Sequence, residues 1–161
     1  MRNSTYQEIM DVIEEHQQVL PVDVNAIAKV LQIKVYHEKE WPNGLSGQIV
    51  KDGHFGGQSG YAIYINGNHI ETRRRFTLAH ELAHFILHKD SIGDGIADDA
   101  LYRSGLSNAQ EAMANKLAAD ILMPWKLVNE KIKEGIDTIE DLAKQFNVSI
   151  SAMAIRLGVP S

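Results

Sequence analysis

The chain contains 161 residues, of which 44% are apolar and 23% are charged, a balance typical of one folded domain with a hydrophobic core and unlike a disordered chain. Its formal net charge of −5 excludes a global electrostatic attraction to nucleic acid or to an anionic membrane. The sequence contains no cysteine, which excludes disulfides and thiolate metal ligands, so any metal must be bound by His, Asp or Glu.

The N-terminal segment is polar and acidic and lacks the apolar core of a signal peptide. No apolar run approaches the ~20 residues that a helix needs to cross a bilayer. Together with the absence of cysteine, these features predict a cytoplasmic protein that does not bind membranes.

The first part of the chain combines helices with short strands. Apolar residues recur at helical spacing in residues 4–17, where Ser4 or Thr5 could cap the helix, and again in residues 22–32. Residues 41–47 are predicted as loop. Three short segments are predicted as strands on alternation and composition, namely residues 33–36, 48–50 and 61–65.

A long helix is predicted to begin near Asn68, because Asn68 and Glu71 have the spacing of a capping box. It continues to about His88. The glycine- and aspartate-rich residues 89–106 are predicted as a loop, and long loops between site-bearing helices often act as lids or specificity elements.

The remainder of the chain is predicted to be helical. Ser107 or Asn108 begins a second long helix, and Pro124 suits the first turn of the next one. Two short helices follow, at residues 138–146 and 149–157, which Thr138 and Ser149 can cap.

This final pair resembles a helix-turn-helix. Its second helix carries only one cation, Arg156, whereas a recognition helix offers several polar or basic groups to DNA. A structural pair or a surface for a protein partner is therefore favoured over DNA binding. The three cations Arg73, Arg74 and Arg75 are predicted to form a solvated helix face, with an acidic partner as the alternative.

The segment His80-Glu81-Leu82-Ala83-His84 carries the strongest chemical signal. Residues four apart lie one turn apart on the same face of a helix, so both imidazoles can reach one ion at about 2.1 Å. Glu81 is then placed to take a proton from a metal-bound water. The alternative is chance, because this short pattern also occurs in proteins that bind no metal.

Glu111, on the next predicted helix, is the preferred third ligand. His88 cannot share an ion with His80, because eight residues span about 12 Å along a helix. We expect His88 to contact a metal ligand or the substrate, or simply to end the helix. The alternative for Glu111 is an acidic residue favoured by a helix N-terminus. Ala114, one turn after Glu111, would let the two helices approach closely. Two histidines and one carboxylate predict a catalytic zinc site with one position open to water.

The sequence resembles the ImmA/IrrE family of metallopeptidases. The similarity is strongest in residues 74–88 and 111–124 and weaker in residues 21–35, 61–66 and 148–159. Where many relatives have glycine before the second histidine, this chain has Ala83. The family's extra DNA-binding domain, present in many relatives, is not expected here.

The resemblance implies a zincin-like endopeptidase, found in bacteria or prophages, that cleaves a helix-turn-helix repressor or an antitoxin-like partner and so relieves repression. It implies Zn²⁺ or Mn²⁺ bound by His80, His84 and Glu111, with Glu81 as the general base. A non-catalytic regulator that binds a partner protein or DNA through the same scaffold is the alternative function.

Four residues are candidates to stabilise the oxyanion of the reaction or to support a metal ligand: His54, Tyr61, His88 and Tyr102. The strand at 61–65 is a candidate edge for pairing with extended substrate.

These elements predict an α+β fold that is mostly helical, with a small sheet of about three strands and a C-terminal helical pair. We expect residues 1–161 to form a single zincin-like domain. Within it, residues 1–36 supply N-terminal helices and a strand, residues 37–134 the catalytic core, and residues 135–161 the helical pair.

Overall fold

The computed structural model describes residues 5–99 and 106–159. Seven helices and four strands lie within these residues, and the mostly helical α+β fold is confirmed. In chain order they are α1 Tyr6–Glu15, α2 Val24–Val30, β1 Lys34–Glu38, β2 Leu45–Lys51, β3 Tyr61–Asn66, α3 Glu71–Ile92, β4 Gly95–Asp99, α4 Asn108–Leu122, α5 Trp125–Lys133, α6 Ile139–Phe146 and α7 Ile150–Leu157.

Polar side chains cap most of the helices. Side-chain oxygens of five residues accept a first-turn backbone N–H: Thr5, Asp23, Ser107, Thr138 and Ser149. The predicted capping by Asn68 is wrong, because α3 begins at Glu71 after Ile70, which makes no side-chain cap hydrogen bond. The Asn68 amide donates instead to the carbonyl oxygen of Lys39.

The sheet has four strands in the order β1-β3-β2-β4. Strand β3 pairs parallel to β1 and antiparallel to β2, and β4 pairs antiparallel to β2. The prediction of about three strands missed β4, which lies in the stretch predicted as loop. The proposal that residues 61–65 offer a free edge is wrong, because β3 is hydrogen-bonded on both sides.

Helix α3 packs against the sheet, mainly β2, and also against α4, so it lies at the centre of the core. Its buried residues include Leu78, Leu82 and Phe85. Fully buried apolar side chains complete the core from the strands and from α4, among them Ile49, Ile63, Ile65, Ile121 and Leu122. Two polar residues of α3, Glu81 and His84, are also fully buried, so the core is built around them.

Among the described residues, no helix is both long enough and apolar enough to cross a membrane.

Arg75 connects α3 to two distant segments. Its guanidinium donates to the carbonyl oxygen of Val22 at 2.8 Å, of Phe146 at 3.3 Å and of Asn147 at 3.0 Å. Burial lowers the pKa of Arg75, and the charges of Glu71 and Asp23 oppose that effect. The predicted solvated face is therefore wrong for Arg75, which joins α3 to the chain before α2 and to the end of α6.

Replacing Arg75 with alanine should lower the free energy of unfolding by about 3 kcal/mol, because part-buried carbonyl oxygens lose a charged donor. Arg74→Ala is the matched control, since within the described residues the Arg74 side chain makes one hydrogen bond, to the His69 carbonyl oxygen. We expect the control to cost about 1 kcal/mol. Urea unfolding of both variants measures the difference, and equal costs would contradict the connecting role of Arg75.

Candidate metal centre

Three side chains from two helices converge on one point. The Nε2 atoms of His80 and His84, one turn apart on α3, lie 3.0 Å apart. Glu111 in the first turn of α4 places Oε1 3.0 Å from His84 Nε2 and Oε2 3.3 Å from His80 Nε2. In a tetrahedral site with ligand distances of about 2.1 Å, donor atoms lie roughly 3.4 Å apart. The observed separations are close to that value.

The donor set and its exposure fit a divalent cation that acts on a substrate. Two imidazole nitrogens and one carboxylate are the three protein ligands of many catalytic zinc sites, in which the fourth position stays open for water or substrate. Two of the three donor residues are sequestered, since His84 is 0% exposed and His80 is 8% exposed. The side chain of Glu111 remains 30% exposed, so the centre is open on the α4 side.

Close packing of α3 and α4 brings the carboxylate to the histidines. Ser107 and Gln110 form a capping box that fixes the start of α4, and Glu111 follows directly. Small side chains allow the helices to approach, and four of them on the two helices are fully buried: Ala79, Ala83, Ala114 and Ala118. The small side chain of Ala83 therefore suits its buried position on α3.

Asn115 orients the first histidine. It lies one turn after Glu111 on α4, and its Oδ1 lies 2.8 Å from His80 Nδ1. An amide oxygen only accepts hydrogen bonds, so His80 donates from Nδ1, and in a neutral ring Nε2 then has a lone pair that can bind a cation. The sequence analysis missed Asn115, although its spacing of four from Glu111 was an available signal.

His88 contacts the second histidine from the opposite side. Its Nδ1 lies 3.2 Å from His84 Nδ1, and its backbone (φ −128°, ψ 25°) interrupts the helical geometry of α3. Burial lowers the pKa of His88, although the charge of Glu111 opposes that effect. A neutral His88 can accept the Nδ1 proton of His84, which leaves His84 Nε2 free to bind a cation. His88 is not part of the converging group of three.

Glu81 is buried between α3 and the sheet. It is 0% exposed and follows His80 directly. Strand β2 lies against α3 here, because a Cβ atom on Gly47 would clash with Thr77 Cγ2 and would lie 3.4 Å from Glu81 Cγ. Glycine at position 47 therefore permits a close approach of β2 to the helix turn that carries Glu81.

The other predicted candidates have contacts elsewhere. His54 lies in the exposed turn after β2, with its ring edge-on to Phe55 at 4.5 Å. Tyr61 is buried, and its ring packs edge-on against Phe85 at 5.3 Å. Tyr102 lies outside the described residues. A role for these residues in stabilising the oxyanion stays a prediction.

Zinc should stabilise the native protein by about 2.7 kcal/mol when free zinc is 100 times its dissociation constant. Glu111→Ala should abolish this stabilisation, because only two donors remain. Thermal unfolding with and without zinc measures the effect, and Glu130→Ala, at an exposed position on α5, is the control. Equal zinc stabilisation of Glu111→Ala and the control would show that Glu111 is not a ligand.

Asn115→Ala should weaken zinc affinity by about 10–100-fold while zinc binding remains detectable, because His80 loses the hydrogen bond that fixes its tautomer. Competition with a chromogenic zinc chelator measures the affinity. Asn115→Asp keeps an acceptor at the same place and should restore most of the loss. An unchanged affinity in Asn115→Ala would contradict the orienting role.

Comparison with known proteins agrees with this geometry. Residues 28–158 match the sequence profile of the peptidase family described as the IrrE N-terminal-like domain. The radiation response metalloprotease IrrE of Deinococcus radiodurans is 38% identical over an alignment of 95 residues, which covers 56% of this chain and 28% of that protein. The chain thus spans less than a third of that relative's length.

A solved structure described as a Mycobacterium tuberculosis transcriptional regulator has a similar fold. Its TM-score is 0.62 at 16% sequence identity, and the similarity covers 96% of this chain and 46% of the other. At that identity, the likeness concerns the fold alone.

Proposed function

Because the chain belongs to the peptidase family of the IrrE N-terminal-like domain, we propose that it is a zinc-dependent endopeptidase. His80, His84 and Glu111 would hold the metal, with Mn²⁺ as a second candidate ion. The single observation that carries this proposal is the convergence of two imidazole nitrogens and one carboxylate within 4.8 Å of one another.

When bound, the ion supplies a Lewis acid that polarises a peptide carbonyl and acidifies water. The protein's own residues prepare the site for that chemistry. By accepting hydrogen bonds from Nδ1 of His80 and His84, Asn115 and His88 would leave the Nε2 atom of each ring to bind the ion. The Glu81 carboxylate would accept a proton from the attacking water and then donate it to the departing amine nitrogen.

The substrate that we propose is a helix-turn-helix transcriptional repressor, or an antitoxin-like partner, whose cleavage would relieve repression in the cytoplasm. The ImmA/IrrE resemblance supports this choice, and the name of the Deinococcus radiodurans relative places that protein in a radiation response. Site-specific cleavage of a regulator requires the enzyme to recognise a folded partner as well as a peptide bond.

The contacts of the C-terminal pair speak against the alternative of a DNA-binding regulator. Arg156, the one cation of α7, pairs with Asp120 at 2.8 Å and donates to the Met123 carbonyl oxygen at 2.9 Å. Its guanidinium also lies 4.6 Å from the ring centre of Trp125. Arg156 is therefore occupied within the protein and is not available to a phosphate group.

Glu81→Gln should retain bound zinc and lose about 100–10,000-fold in the rate of repressor cleavage, because glutamine cannot accept the proton of water. The test incubates zinc-loaded protein with purified helix-turn-helix repressors of the same organism and measures cleavage by mass spectrometry. Glu130→Gln is the control and should cleave at the wild-type rate.

Cleavage by Glu81→Gln at the wild-type rate would contradict the assignment of the base. Absence of cleavage by the zinc-loaded wild-type protein, together with tight binding of the repressor, would favour the non-catalytic regulator instead.

A further inference from the structure

A groove of about 750 Å³ lies beside the metal centre, between the first turns of α3, the middle of α4 and the start of α7. Its wall is largely apolar and is formed by Ile70, Phe76, Ala119, Met123, Val148 and Ile155. Two of these residues lie at the rim and are unusually exposed for isoleucine, since Ile70 is 71% exposed and Ile155 is 75% exposed. Exposed apolar side chains that border a groove commonly mark a protein-binding site.

The charge of the groove is opposite to that of the chain. Its described lining includes three cations, Arg73, Lys116 and Arg156, and no carboxylate, although the chain as a whole has a formal net charge of −5. Arg156 pairs with Asp120, whereas Arg73 and Lys116 are exposed, and Arg73 donates one hydrogen bond to Ser46 Oγ at 3.1 Å. The groove therefore complements an occupant that is apolar on one side and acidic beside it.

The groove and the surroundings of the metal donors share one residue, Asn115. Asn115 lines the groove, and the same side chain accepts the hydrogen bond from His80 Nδ1 at 2.8 Å. Glu111 lies one turn before Asn115 on α4, so a metal donor and a residue of the groove lining are neighbours on one helix.

We propose that this groove binds an acidic amphipathic helix of the substrate protein. The apolar face of that helix packs between Ile70 and Ile155, and its carboxylates lie beside Arg73 and Lys116. Helices that bind in grooves present apolar residues at positions i, i+3, i+4 and i+7, which suits a wall formed by three helices. The proposal rests on the proposed function, because it assigns the site at which the substrate docks away from the cleaved bond.

The test measures binding separately from catalysis. Zinc-loaded Glu81→Gln protein is titrated into fluorescein-labelled helical peptides of about 18 residues, and anisotropy reports the affinity. The first peptide carries leucine at i, i+3, i+4 and i+7 with glutamate flanking that face. A second peptide replaces each glutamate with lysine, and a third has the first composition in scrambled order.

The acidic amphipathic peptide should bind at least about tenfold more tightly than the other two. Adding Arg73→Glu and Lys116→Glu should reduce its affinity by about tenfold or more and should raise the affinity of the lysine peptide. The matched control adds Lys51→Glu and Lys133→Glu, which change the net charge equally at exposed positions outside the groove lining. This control should bind like the parent.

The charge-reversal variant could lose binding because it misfolds, so a second measurement uses the protein without these two changes. Raising the ionic strength from about 0.05 M to about 0.5 M should weaken binding of the acidic peptide severalfold, because exposed charges are screened. A single exposed change, Ile155→Ser, should weaken it as well.

Equal affinity for the acidic and lysine peptides, or equal losses in the groove and control variants, would overturn the proposal. Self-association of the chain that Arg73→Glu and Lys116→Glu abolish would also overturn it, since the occupant would then be a second copy. None of these results would affect zinc binding or Glu81-dependent cleavage. Failure of the proposed function would instead appear as loss of zinc binding or of cleavage by the wild-type protein.

Discussion

The close approach of α3 to α4 is the constraint on which the candidate site depends. His80 and His84 are fixed to each other by one turn of helix, but Glu111 reaches them only if a second helix lies directly alongside. Buried alanines on both helices remove the bulk that would hold the axes apart. The same contact brings Asn115 to His80, so one packing interface supplies a ligand and the group that orients another ligand. A bulkier residue at that interface would disturb both at once.

Much of the site was predictable because it follows from helix periodicity. The spacing of His80 and His84 fixes their shared face, and Glu111 was recognised as a carboxylate on the next helix. Asn115 was not predicted, and contact with a metal ligand was one of three alternatives for His88, because such contacts depend on side-chain rotamers and on which ring nitrogen faces which neighbour. Sequence spacing places a residue on a face but does not orient an imidazole.

In the fold, too, features that depend on a few consecutive residues were predicted, whereas features that depend on contacts between distant residues were missed. Capping by Ser107, Thr138 and Ser149 was predicted, since a cap depends on a few consecutive residues. Strand β4 was missed because its glycine- and aspartate-rich segment has little intrinsic strand preference and is defined by pairing with β2. The burial of Arg75 was missed for a similar reason, because its three acceptors come from remote parts of the chain.

The hydrogen bonds of Arg75 bear on how the protein could be dissected or fused. Two of its acceptors, at Phe146 and Asn147, belong to the C-terminal pair, and the guanidinium projects from the helix that carries His80 and His84. Removing the last two helices would leave the Arg75 guanidinium without two of its three acceptors. It would also remove the residues of α7 that line the groove. A shortened chain would thus be a different molecule and not a minimal catalytic unit, and tags or added domains are better attached beyond α7 than in place of it.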